Sequence, residues 1–255
     1  MRPLAAAVIV LVQVAAFGAV AQEPPLPDRD AFFADTKANL LKSQREQVHY
    51  AYRERRTDLH TNPFGKLGTD GSRVFDVTPG STPGVFYRTL IERNGHPVTG
   101  GTPERVEGRR RDRPASRTGR SPIDDALETL EFRIERREQV DGRSAIVVAF
   151  APKPDADPDT REGKLAREFK GEVRVDEAAR EVMRVDAVAV DDLTFGFGLV
   201  ARMNEGTRVT MTRQKVDAIA WLPTLVRFMG EGRAMLFRKL VLDYRVEWSD
   251  YRRVE

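Results

Sequence analysis

A chain of 255 residues with no cysteine excludes disulfide staples, thiol catalysis, zinc knuckles and iron–sulfur ligation, so its fold must rest on an apolar core. The formal charge of +3 is unevenly spread: residues 104–120 carry seven Arg against three acids, a local +4, Arg2 adds one, and the remainder sums to −2. The pI of about 9.2 therefore reflects one segment and excludes a uniformly basic surface of the kind that binds nucleic acid.

The first 21 residues have the three zones of an export signal. Arg2 gives a positive start, residues 4–14 form an apolar run broken only by Gln13, and Ala19-Val20-Ala21 puts small residues at the two positions a signal peptidase reads. Cleavage before Gln22 and work outside the cytoplasm, in the periplasm, are expected. The run falls short of the roughly 20 strongly apolar residues of a membrane helix, and no later segment approaches one, so the mature chain is expected to be soluble. A lipoprotein anchor needs a cysteine after the cut, and none is present. Residues 22–29 then read as linker and 30–255 as a single domain.

The first mature element is predicted to be a helix, capped by Asp28 or Asp30, with Phe32, Phe33, Leu40 and Leu41 as its apolar stripe toward Gln47. From Val48 the period changes to two. Val48, Tyr50 and Tyr52 alternate with polar neighbours, and the habit returns over 74–78 and 85–93, the latter ended by the turn pair Asn94-Gly95. The basic tract 104–120, poor in apolar residues and broken by Gly108, Pro114 and Gly119, reads as a flexible insertion. A short helix begins at Ser121-Pro122, where Asp124 and Asp125 oppose its dipole. Strands over 130–140 and 144–151 flank Asp141-Gly142, a tight hairpin turn. After a Pro/Asp loop at 152–159 and a brief helix around 165–169, strands are predicted over 172–176, 181–193, 207–216, 220–230 and 234–249. The fold class is mainly β (α+β): a curved antiparallel sheet or open half-barrel, with the N-terminal helix and one or two short helices packed on it.

The motifs that would signal catalysis fail on context. Gly196 opens a dinucleotide-like string, but that fingerprint has meaning only between a strand and a helix of a parallel βαβ unit. Asp155, Asp157 and Asp159 have the spacing that opens a calcium loop, yet Thr160 stands where the turn needs glycine and Ala166 where the bidentate Glu belongs. His49, His60 and His96 adjoin no other evident ligands, and no Gly-x-Ser-x-Gly elbow occurs. The expectation is a protein that is not an enzyme and has no metal and no cofactor.

An exported helix followed by a long antiparallel meander, with FKGEVRVD at 169–176, VMRVD at 182–186, FGFG at 195–198, WLP at 221–223 and the terminal stretch 244–251, resembles secreted proteins of the LolA/LolB outer-membrane lipoprotein-sorting superfamily. The resemblance covers most of residues 30–255 and implies a half-barrel, closed by helices, that holds acyl chains. It maps no site residue onto this chain. The expected function is an extracytoplasmic carrier or binding protein for a lipid or lipoprotein acyl group. The alternative is a cell-envelope protein-interaction module with a filled core and no small-molecule ligand.

Candidate cavity residues are Phe195, Phe197, Leu199, Trp221, Phe228 and Trp248, because such a site needs apolar walls; alternating aromatics serve equally as sheet core. Trp221-Leu222-Pro223 suggests a cavity edge, since Pro in a strand belongs at a bulge or edge. Arg109, Arg110, Arg111 and Arg113 are candidates for contact with an anionic membrane surface. Nucleic acid is not expected as a partner, for no aromatics interleave with the basic residues, and nothing fixes an oligomeric state.

Overall fold

The computed structural model describes residues 24–61, 71–82, 84–107, 122–195, 201–234 and 238–254. Asp28 is the cap of the first helix, α1 (Arg29–Glu46): its carboxylate accepts the Ala31 amide at 3.0 Å. One 3-10 turn, Gln47–His49, leads into β1 (Tyr50–Thr61), so the strand expected from Val48 starts two residues later. Then come β2 (Gly71–Pro79), β3 (Val85–Arg93), β4 (His96–Pro97) and β5 (Glu104–Glu107). The first four residues of the expected insertion thus form a strand, paired with β3. Arg109, Arg110, Arg111 and Arg113 lie outside the described residues.

Helix α2 (Pro122–Thr129) precedes β6 (Leu130–Val140) and β7 (Arg143–Pro152). Asp141 and Gly142, with φ of 49° and 75°, make the expected hairpin turn between them. Helix α3 (Arg161–Ala166) starts four residues before the predicted short helix, because Thr160 caps it. The Thr160 hydroxyl accepts from the Gly163 amide at 3.0 Å, while its own N–H and O–H donate to the buried Asp125 of α2 at 2.8 and 2.6 Å. Phe169, expected in that helix, opens β8 (Phe169–Asp176) instead, followed by β9 (Val182–Ala189), β10 (Leu193–Phe195), β11 (Ala201–Met203), β12 (Arg208–Lys215), β13 (Trp221–Ala234) and β14 (Arg238–Arg253).

The strands form one curved antiparallel sheet that does not close, in the order β4-β3-β2-β1-β14-β13-β12-β9-β8-β7-β6, with β5 on β3 and the β10/β11 pair joined to β13. The chain begins in the middle at β1, works out to one edge, passes to the other edge at β6 and returns inward until β14 pairs with β1. First and last strands therefore meet at the centre.

Because side chains alternate and the register is continuous, rows can be followed across the sheet. One runs Val148, Val173, Val185, Met211, Val226, Val246, Arg56, Arg73. The next runs Phe150, Gly171, Ala187, Val209, Phe228, Tyr244, Asp58, Gly71. Both lie on the inner face, where α1 packs: Phe32, 1 % exposed, is clustered with Ile146, Val148, Val175 and Val182. Burying such a side chain contributes about 1.5–3 kcal/mol. Gly171 sits where a Cβ would collide with the Asp186 carbonyl oxygen, so β8 and β9 approach closely there.

Polar contacts hold the rest of α1 down. Asn39 Nδ2 donates to the Ala179 carbonyl at 3.0 Å, Lys37 pairs with Asp124 at 2.6 Å, and Ser43 Oγ donates to Glu181 Oε1 at 2.9 Å. Glu181 in turn pairs with buried Arg213 at 3.2 Å, and the Arg213 guanidinium donates to the Trp221 carbonyl at 2.8 Å. Burial lowers the Arg213 pKa against the pull of Glu181. The outer face is a charged ladder instead. Arg174 alone meets Glu138, Glu172 and Asp186 at 2.7, 3.0 and 2.9 Å, and Arg227 meets Asp243 at 2.6 Å.

Candidate functional site

The inner face divides at the β14/β1 boundary. On β12, β13 and β14 it is apolar: Val209, Phe228, Leu240 and Leu242 are half-buried and pack against a cluster of Phe150, Phe169, Ala189, Leu193 and Met203. Tyr244 and Val226 extend the surface toward β1. In β1 the same pleat presents Tyr52, Glu54, Arg56 and Asp58, opposite Phe75 and Val77 of β2 and Trp248, Val246 and Tyr244 of β14. An apolar face thus runs into a charged one with no break in pairing.

Glu54 is the centre of the charged part and only 6 % exposed. Arg56 Nε donates to its Oε1 at 2.6 Å and the Trp248 indole N–H to its Oε2 at 3.3 Å, while Arg88 Nη1 lies 3.7 Å from Oε1. Arg88 Nη2 donates to Glu104 of β5 at 2.8 Å. The guanidinium planes use one aromatic ring: Arg88 lies 4.6 Å and Arg56 5.8 Å from the Phe75 centroid. Burial works against the charge of Arg56, but the hydrogen bond and charge of Glu54 outweigh it and raise its pKa. The hydrogen bond from Arg88 lowers the carboxyl pKa of Glu104. Burial, then the negative charge of Glu54, push the Tyr52 hydroxyl up to about 12. Near neutral pH these shifts favour ionised Arg56 and Glu104 and a neutral Tyr52.

A buried ion pair is weak ground for stability, since desolvation offsets much of its attraction. Two guanidiniums beside one aromatic ring, a satisfied carboxylate and a neutral phenol are suited to holding a polar or anionic group. They do not form a nucleophile–base pair, and among the described residues no group of three or more His, Asp or Glu converges as metal ligands. At the far end of β13 a polar cavity of about 360 Å³ is lined by Asn204, Glu231, Gly232, Arg233 and Lys239.

The expected cavity residues do not all meet. Phe228 packs in the apolar cluster of β12 to β14, whereas Trp248 stands beside Glu54. Trp221 is in a separate cluster with Ala145 and Met183, with Arg143 stacked 5.5 Å from its ring. Phe195 closes β10, but its side chain, and Phe197 and Leu199 altogether, lie outside the described residues. Glu54, Arg56, Arg88, Leu240 and Leu242 were not among the candidates. The period-two string Tyr52-x-Glu54-x-Arg56-x-Asp58 was the available sign that one face continues from aromatic to charged.

With that face described, solved structures offer a likeness. A LolA superfamily protein from Nitrosomonas europaea shares 11% identity over 86% of this chain and 93% of its own, with a TM-score of 0.33. The lipoprotein LppX of Mycobacterium tuberculosis shares 11% over 88% and 96%, with a TM-score of 0.32. A DUF1329 family protein from Desulfovibrio piger shares 15% over 88% and 94%, with a TM-score of 0.33. No family model matches the sequence, and no curated protein matches it. At these identities and TM-scores the likeness assigns neither a role nor a site residue to this chain.

Proposed function

We propose that the chain is an extracytoplasmic, non-enzymatic carrier or binding protein for a lipid or lipoprotein acyl group, and that the inner face over β12, β13 and β14 is its binding surface. The observation that carries the reading is the row of half-buried apolar side chains Val209, Phe228, Leu240 and Leu242 beside the half of the sheet that α1 covers. Leaving apolar surface in water forgoes about 25 cal/mol per Å², and such a face is retained where it meets a ligand. The leader at 1–21 supplies the address, and among the described residues no helix is long and apolar enough to cross a membrane.

Native mass spectrometry of the chain purified without detergent from its own host tests this directly. An acyl-bearing species is expected to co-purify and to be displaced by added fatty alcohol. A bare protein that also binds no alkyl probe would overturn the carrier reading in favour of an interaction module with a filled face. Arg109, Arg110, Arg111 and Arg113 are proposed to touch the anionic membrane surface during loading. Deleting 108–120 should then weaken binding to phosphatidylglycerol vesicles at low salt, and unchanged binding removes the tract from the proposal.

A further inference from the structure

The charged end of the inner face has one unfilled valence. Arg88 is largely buried; its Nη2 donates to a single oxygen of Glu104 at 2.8 Å, its Nη1 stands near Glu54, and its buried Nε has no hydrogen-bond partner among the described residues. The Nε–H and the adjacent Nη2–H of a guanidinium point the same way and together fit the two oxygens of a carboxylate or phosphate. Glu104 occupies half of that fork, from a side chain 63% exposed on the four-residue strand β5. A buried donor left unpaired is costly, so an oxyanion that takes both donors has an advantage over Glu104.

Charge and position agree. Arg56, Arg88, Glu54 and Glu104 sum to zero; with Glu104 turned into solvent the remaining three carry +1, which one monoanionic group neutralises. Phe75 beneath the Arg88 plane fixes the direction of the fork. Trp248 of β14 borders the charged group, and from there Val246, Tyr244, Leu242 and Leu240 follow along one face of the strand, about 27 Å at the usual rise. We propose that Arg88 is a headgroup site: the ligand is an anionic amphiphile whose carboxylate or phosphate displaces Glu104 from Arg88 while its chain lies over the half-buried Tyr244, Phe228 and Leu242. This rests on the acyl-binding reading above and names the chemical class of its ligand.

Calorimetry with laurate, dodecanol and acetate on the full chain separates the parts. Laurate should bind at least tenfold more tightly than dodecanol, and acetate should not bind measurably. Arg88→Gln should bring laurate down to the affinity of dodecanol and leave dodecanol unchanged. Glu104→Gln, at an exposed position that spares the core, should tighten laurate several-fold by removing the competing carboxylate. Laurate that gains nothing over dodecanol, a preference that survives Arg88→Gln, or a Glu104→Gln variant that weakens laurate overturns the headgroup site while leaving the acyl face standing. Acetate binding through Arg88 with no dodecanol binding overturns the acyl reading itself.

Discussion

Two halves of one inner face share a pleat and a register yet do opposite things. Across β6 to β9, α1 lies on the sheet, and Phe32, Ile146 and Val148 are at most 2 % exposed. On β12 to β14 the equally apolar Val209, Phe228, Leu240 and Leu242 stay half-buried, and beyond them β1 to β3 turn the face over to Glu54, Arg56 and Arg88. What differs is the cover. One helix of 18 residues spans about 27 Å, too little to roof a sheet of this many strands; over β12 to β14 the apolar side chains are covered only in part, by the cluster around Phe150, Phe169 and Leu193.

If that division holds, truncating a residue under the helix must cost far more stability than truncating one on the open half. Phe32→Ala is expected to lose about 3–5 kcal/mol, because it opens a cavity between α1 and β7 to β9; urea denaturation reads this directly. A loss under 1 kcal/mol would mean that α1 is not part of the core. Next in size is the ion pair that pins the helix's C-terminal half. Arg213→Met leaves Glu181 buried beside Ser43 without its cation and should cost about 3 kcal/mol. The double change Arg213→Met with Glu181→Leu should cost less than the single one, and a double loss equal to or greater than the single would show that the Arg213 bonds to the Trp221 and Val182 carbonyls matter more than the buried charge.

On the open half the order of effects reverses. Phe228→Ala should cost only about 1–2 kcal/mol of stability, since the ring is already partly exposed, but should weaken dodecanol binding about tenfold. If calorimetry found the affinity unchanged while stability fell as far as in Phe32→Ala, the open half would be ordinary core.

The covered half was the more legible in the sequence. Asp28, the Phe32/Phe33 stripe and Asp141-Gly142 act through neighbours a few residues away, and each is where local chemistry puts it. The boundaries that slipped did so through tertiary contacts: Thr160 starts α3 early because Asp125, 35 residues before it, receives its N–H. The charged cluster is more remote still. Trp248 reaches Glu54 across 194 residues, and Arg88 meets Glu104 only because β5 lies along β3. Alternation in β1 shows that Glu54 and Arg56 share a face with Tyr52; it does not show which face, and a charged residue in a strand is normally the wet one. Only the pairing of β1 with β14 turns it inward.

The smallest expected effect tests whether the linker belongs to the covered half. Arg137 donates to the Pro24 carbonyl at 2.7 Å and the Pro25 carbonyl at 3.1 Å, and it is held in place by Glu177 at 2.6 Å. The hydrogen bond from Arg137, acting against burial and helped by Ser144, lowers the Glu177 pKa to about 2. A carboxylate depressed in the folded state adds stability that is fully present above its unfolded pKa and is lost as pH falls toward the folded value. The window is therefore from about pH 4.5 down to about 2, and desolvation of this largely buried pair together with screening at its Glu177 end holds the effect to about 1 kcal/mol. Glu177→Gln should flatten the stability profile in that window by this amount. It should also speed proteolysis at Pro24 and Pro25, because Arg137 loses the partner that aims it at those carbonyls. An unchanged acid profile together with unchanged proteolysis would place the linker outside the folded unit and leave α1 to begin at its Asp28 cap.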